Sequence, residues 1–220
     1  KDIAAFYRNS LDIKVVGITG SVGKTSTKEM IASVLSEKYL VLKTAGNFNN
    51  EIGLPLTIFR LSEEDEVAVL EMGISDFNEM HRLGAIARPD ICVITNIGLC
   101  HLENVNGKAP VFYGKSEKNQ CGKENRIYAT GIQNLGLDGM KAVFHFPECM
   151  REVEIPIPGE HNVLNALAGA CVGMELGLDV EQICAGIKKA QTIGGRTNLI
   201  HANDMLIIDD CYNANPVSMR

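Results

Sequence analysis

Residues 15–27 read Val-Val-Gly-Ile-Thr-Gly-Ser-Val-Gly-Lys-Thr-Ser-Thr, and no other stretch constrains the fold as much. Val15 to Ile18 form the apolar signature of a buried strand, a Gly-rich turn follows, and a helix opens at Lys24. A strand that passes through glycines into a helix N-terminus makes a phosphate cradle. Gly20 and Gly23 let backbone N–H groups turn inward toward an anion, Lys24 can reach terminal phosphates, and the Thr25 hydroxyl can hold Mg²⁺. In the strict G-x-x-x-x-G-K-T pattern the first Gly would fall at Ile18, whereas the glycines here are Gly17, Gly20 and Gly23. Nucleotide phosphate binding is the reading, set against a chance Gly-Lys-Thr in a loop.

Composition narrows the classes. The 220 residues are 45% hydrophobic, enough for one substantial core or two modest ones. A net charge of −6 and no basic cluster argue against nucleic acid as the main partner. No apolar run approaches the roughly 18 residues of a membrane span, so no membrane insertion is expected. Seven cysteines without a C-x-x-C pair fit a reducing cytosol, with Cys92, Cys171 and Cys184 read as small core residues.

From Lys14 onward, strand and helix alternate. Strands are expected at 13–18, 39–43, 66–72 and 90–96, with helices at 24–37 and 76–87. The 66–72 strand is nearly all apolar, as a strand covered on both faces should be. This is the logic of an α/β fold, a mostly parallel sheet flanked by helices. A small antiparallel β section follows at 126–133, 140–146 and 152–157, then helices at 162–176 and 180–190. Strands at 197–201 and 205–209 close the pattern around an Asn203-Asp204 turn. Between His101 and a strand near Val111, Gly107 and Pro110 forbid a crossover helix, which suggests that residues are absent near 104–107. Residues 1–12 read as the end of an N-terminal region or a linker, and 13–220 as a central domain of a longer protein.

Several constellations carry chemistry. Thr44-Ala45-Gly46-Asn47-Phe48-Asn49-Asn50 gathers three amides on the rim where parallel sheets bind ligands, with ordinary turn chemistry as the alternative. Glu71 ends a buried strand, either capping a loop or serving Mg²⁺. His101 lies just past the 90–96 strand and so could share that metal. Arg196 follows Gly194-Gly195, and its guanidinium could reach a phosphate. Asp210 meets the polar loop from Tyr212 to Pro216.

In this order the pieces resemble the central ATPase domain of the Mur ligases, specifically the branch that adds D-alanyl-D-alanine to a UDP-linked tripeptide. The carriers are residues 17–26, Gly46-Asn-Phe-Asn-Asn-Glu-Ile-Gly53, Glu71-Met-Gly73, Thr95-Asn-Ile-Gly98 with His101, Gly159-Glu-His-Asn-Val-Leu-Asn165, Gly195-Arg196 and Tyr212-Asn-Ala-Asn-Pro216. The resemblance implies an amide ligase of peptidoglycan precursor synthesis, using ATP and Mg²⁺, in the bacterial cytoplasm and as a monomer. Its small-molecule partners would be UDP-MurNAc-tripeptide and D-Ala-D-Ala. It also implies roles. Lys24, Glu71, His101 and Arg196 would be catalytic, and Thr25, Glu71 and His101 would serve the metal. The nucleotide would be held by Thr19, Gly20, Ser21, Val22, Gly23, Lys24, Thr25, Ser26, Asn96, Asn162, Arg196 and Asp210. Thr44, Asn47, Asn49 and Asn50 would touch the UDP-sugar substrate.

The family's carbamylated Lys has no counterpart here, and neither Lys108 nor Lys115 stands in the right context. The resemblance also implies an N-terminal UDP-binding domain and a C-terminal domain beyond residues 1–220, so these residues alone are expected to bind ATP–Mg²⁺ weakly at best and not to ligate. Two alternatives stay open. One is a sister ligase of the diaminopimelate- or lysine-adding or folylpolyglutamate type. The other is a non-catalytic P-loop module, although no Asn-Lys-x-Asp guanine motif is present.

Overall fold

The computed structural model describes residues 1–74, 76–95, 111–119, 122–203 and 205–212. Its first part runs α1 (Asp2–Ser10), β1 (Lys14–Thr19), α2 (Lys24–Leu35), β2 (Val41–Lys43), α3 (Gly53–Ile58), β3 (Val67–Glu71), α4 (Glu79–Ala87) and β4 (Ile91–Ile94). The four strands pair in parallel in the order β2-β3-β1-β4. All of β3 is buried, and its alternation decides which helices lie where. Val67 and Val69 join Val16, Ile18 and Val93 in a core with α2. Ala68 and Leu70 join Val15 in a second core with Leu54, Ile58, Leu83 and Ile86 from α3 and α4.

The second part contains β5 (Tyr113–Gly114), β6 (Ile127–Asn134), β7 (Met140–His145), β8 (Met150–Ile155), α5 (His161–Glu175) and α6 (Val180–Lys188). Strands β6, β7 and β8 are antiparallel, and β5 adds to β6 in parallel. Their buried side chains share the core of α2, α5 and α6. Glycines let these helices approach closely. A Cβ on Gly186 would lie 2.5 Å from the Val34 Cα, and one on Gly173 would lie 3.0 Å from the side chains of Val34 and Ile183. A capping box of Asp179 and Gln182 starts α6. The hairpin β9 (Asn198–Ala202) with β10 (Met205–Asp209) forms a separate two-stranded sheet. Among the described residues, no helix is long and apolar enough to cross a membrane.

The fold class agrees with the sequence reading, with three differences. The helix α3 was not foreseen, because it is short and carries Pro55. Proline is tolerated there since first-turn N–H groups have no helical partner. Strand β5 opens the second sheet, so no parallel crossover links it to β4. The expectation of absent residues near 104–107 falls outside the described residues. Helix α1 is held on the rest of the domain: Arg8 Nε donates to the Ala87 carbonyl at 3.1 Å, and Ala4 is fully buried. Finally, Cys92 is exposed on the edge strand β4 rather than in a core.

Candidate nucleotide and metal site

Parallel strands bring three chain segments to one edge. In register, Ile18 faces Glu71 across β1 and β3, and Thr19 faces Ile94 across β1 and β4. The loop leaving Thr19 therefore meets the carboxylate and the residue after β4. Gly20 takes φ 137° and Gly23, the N-cap of α2, takes φ 85°. These left-handed values are what turn a loop's N–H groups inward. Lys24 Nζ donates to the Gly20 carbonyl at 2.8 Å, folding back over the loop. Thr95 locks the loop from β4, its hydroxyl donating to the Val22 carbonyl at 2.6 Å. No acidic residue occupies the first turn of α2, so the positive end of the helix dipole is uncompensated by side chains.

Gly17 has a different task. A Cβ there would meet the Met72 methyl at 2.5 Å and Pro89 at 3.1 Å, so packing rather than phosphate contact demands glycine.

Glu71 lies beside this loop, 2% exposed. Its backbone N–H donates to the Thr44 hydroxyl at 3.0 Å, and its Oε1 accepts from Asn49 Nδ2 at 2.8 Å. Its Oε2 is buried without a hydrogen bond, and so is the Thr19 hydroxyl. Buried carboxylate oxygens are ordinarily paired, because desolvating the charge is costly. The cation near Oε2 is Lys28 Nζ, at 4.0 Å. Lys28 is 1% exposed, donates to the Thr44 carbonyl at 2.7 Å and lies 3.1 Å from Glu29. A bare carboxylate oxygen and a bare hydroxyl suit a hard divalent cation, which takes oxygen ligands. Among the described residues no three His, Cys, Asp or Glu side chains cluster. A cation at Glu71 would thus draw ligands from elsewhere, as one shared with nucleotide phosphates does.

A polar chain runs from α2 to α5. The Thr27 hydroxyl donates to Asn165 Oδ1 at 2.8 Å, Asn165 Nδ2 donates to Asn162 Oδ1 at 2.8 Å, and Asn162 Nδ2 donates to the Pro158 carbonyl at 2.7 Å. Next to it lies a small recess lined by Ser26, His161, Asn162, Gln191 and Thr197. Burial holds the His161 imidazole below its ordinary pKa, with Asp210 partly opposing. A larger cleft of about 390 Å³ opens beside it, lined by Thr25, Lys28, Lys43, Thr44, Arg60 and Arg196 among others. Its far wall is tied down from the hairpin. The Gly195 N–H donates to Asp209 at 2.7 Å, and the Cys211 thiol, together with that bond, holds the Asp209 carboxyl below its usual range. The Arg196 guanidinium stacks 4.4 Å from the Tyr212 ring centroid.

Comparison with known proteins decides the family. Residues 18–117 match the Mur ligase middle domain. The UDP-N-acetylmuramoyl-tripeptide–D-alanyl-D-alanine ligase of Bacillus subtilis is 36% identical, the alignment covering 100% of this chain and 54% of the relative. The chain belongs to the Mur ligase family. Its fold superposes with TM-score 0.84 on the ligase of that branch from Acinetobacter baumannii, at 32% identity over 98% of this chain and 55% of that one. The MurF ligase of Thermotoga maritima, solved with ADP, gives 0.81 at 28% identity over 99% and 57%. The chain thus spans about half the length of the relatives it matches.

In this Mur ligase domain, Thr25, Thr44 and Arg196 line the cleft, and Ser26, Asn162 and Arg196 line the recess. Asp210 accepts from the N–H of Thr197, a recess residue, at 3.2 Å, and Glu71 is tied to Thr44 through its backbone N–H. His101 and Asn96 lie outside the described residues. The amide loop divides in function. Asn47 is exposed, whereas Asn49 is spent on Glu71. Asn50 Oδ1 accepts from the N–H groups of Ile52 and Gly53, the turn chemistry that leads into α3. Thr44 lines the cleft but carries Lys28 and Glu71 through its carbonyl and hydroxyl.

Sequence reading missed Lys28, Thr95 and the Thr27–Asn165 bond. Lys28 left one signal: it falls on the helix stripe of Ile31 and Leu35, so its charge sits on the buried face.

Proposed function

We propose that the protein carrying this domain is an ATP-dependent amide ligase that joins D-alanyl-D-alanine to UDP-MurNAc-tripeptide in peptidoglycan precursor synthesis. The observation that carries the reading is the convergence, on one sheet edge, of a phosphate loop and a buried carboxylate with an unpaired oxygen. The names of the relatives supply the substrate class.

In the reaction, a substrate carboxylate oxygen attacks the γ-phosphorus of ATP and ADP leaves, giving an acyl phosphate. The dipeptide amine then attacks the acyl carbon, phosphate departs with the bonding electron pair, and the amine loses a proton. The loop N–H groups and the start of α2 would seat the β- and γ-phosphates, and Lys24 would exchange its Gly20 carbonyl for them. Arg196, held over Tyr212, would neutralise charge gathering on the transferred group. Thr25, Glu71 and His101 would hold Mg²⁺, which supplies charge neutralisation at the phosphates. Asn162, braced by Asn165, would face the base and Asp210 the ribose. Asn47 stands free to meet the UDP-sugar, with Asn49 and Thr44 as its support. We assign the protein to the bacterial cytoplasm, as a monomer.

The test is phosphate release from ATP by the full-length protein, with UDP-MurNAc-tripeptide present and D-Ala-D-Ala added or omitted. Release that needs both substrates and is lost in Lys24→Ala is the expected result. Hydrolysis indifferent to both substrates refutes the ligase reading.

A further inference from the structure

Lys28 is an unusual residue to find in the core of a nucleotide-binding domain. It is 1% exposed, and a sealed ammonium is tolerated only when compensated. It belongs to a chain of four charged groups, Glu71, Lys28, Glu29 and Lys43. Lys43 comes from the end of β2 and already pairs with Glu29. Lys28 lies 3.1 Å from Glu29, which Lys43 also neutralises, and 4.0 Å from Glu71, for which it is the nearby cation among the described residues. It nonetheless makes no hydrogen bond to Glu71 Oε2, directing Nζ to the Thr44 carbonyl at 2.7 Å instead. The carboxylate thus has a cation nearby while one of its buried oxygens stays without a hydrogen bond.

We propose that Lys28 makes divalent-cation binding at Glu71 conditional on nucleotide. In the nucleotide-free protein its ammonium, 4.0 Å from Oε2, neutralises the carboxylate and repels a second cation. Phosphates arriving on the P-loop bring new negative charge to the same rim, and the site then accepts the ion. Lys28 is in this sense a positioning residue that sets the order of loading. The inference rests on the reading of Glu71 as a Mg²⁺ ligand.

The experiment measures Mn²⁺ binding to the full-length protein by the loss of the free-ion EPR signal, with and without ADP. Wild type should bind Mn²⁺ at this site with ADP only. Lys28→Met and Lys28→Gln, the latter keeping a donor for Thr44, should bind nucleotide-free Mn²⁺ at least about tenfold tighter than wild type, as removal of a charge this close requires. Lys28→Arg should behave as wild type, and adding Glu71→Gln to Lys28→Met should abolish the new binding. A merely structural lysine predicts weaker binding in the variants, the opposite sign. Neutral variants that fold and bind no tighter than wild type overturn the proposal, and so does new binding that survives Glu71→Gln. The underlying reading fails separately, if Glu71→Gln leaves ADP-dependent Mn²⁺ binding unchanged.

Discussion

The bond between Thr27 and Asn165 joins α2 to α5 across 138 residues of sequence, and its worth can be isolated. Both partners are buried, at 1% and 7% exposure. Thr27→Val is nearly isosteric, but it strands Asn165 Oδ1 away from water. One unsatisfied buried group costs about 1–3 kcal/mol. Asn165→Leu strands two groups, the Thr27 hydroxyl and Asn162 Oδ1, so the same reasoning gives about 2–5 kcal/mol. In the double variant neither the Thr27 hydroxyl nor Asn165 Oδ1 is there to be stranded, and only Asn162 Oδ1 remains so. The double variant's cost should fall short of the sum of the single costs by at least about 2 kcal/mol, as expected for residues in contact. Urea unfolding followed by circular dichroism supplies the four stabilities, with an unchanged slope showing that the unfolded state is not altered. For a chain of this size each kcal/mol should lower Tm by about 2–4 °C. Costs that add to within about 0.3 kcal/mol would mean the two residues are uncoupled, and the bond would not be what ties the helices together.

Gly17→Ala should destabilise by about 1–3 kcal/mol, since Met72 can shift its methyl but Pro89 cannot yield as easily; thermal melting checks this. Lys24→Ala should lower ADP affinity at least about tenfold in calorimetric titration while leaving Tm nearly unchanged, since losing one charge-assisted contact is worth at least 1.4 kcal/mol by that measure. His161 is held neutral by burial, so the unfolded chain binds more protons than the folded one below the ordinary imidazole pKa. Stability should therefore fall as pH drops through that range, and His161→Gln should flatten this part of the urea-midpoint profile. Asn50→Ala should cost about 1 kcal/mol through the lost turn into α3, read from the same urea curves.

What the sequence discloses follows from how far its interactions reach. The phosphate loop was legible because strand, glycines and helix are contiguous, and because Gly20 and Gly23 adopt the left-handed angles their spacing suggests. The burial of β3 on both faces was legible as a nearly continuous apolar run. The role of Asn49 was not, since its partner Glu71 lies 22 residues away on another strand. Nor could local pattern reveal why Gly17 is glycine, because the reason is Pro89 and Met72 crossing over it. Asn50 shows the limit from the other side: an amide in a substrate-like loop is spent on its own backbone. Helix α3 escaped because six residues containing a proline carry no periodicity to read.

The two walls of the cleft are built on different foundations. One is continuous with the parallel sheet, through β1, Thr95 and the buried base of Glu71. The other hangs on a two-stranded ribbon by the Gly195–Asp209 and Tyr212–Gly195 bonds and the ring beneath Arg196. A two-stranded ribbon is the least self-sufficient kind of sheet. Arg196 thus stands on the wall with less support of its own and Lys24 on the wall the parallel sheet holds, so local opening of the ribbon would displace the first cation and leave the second in place.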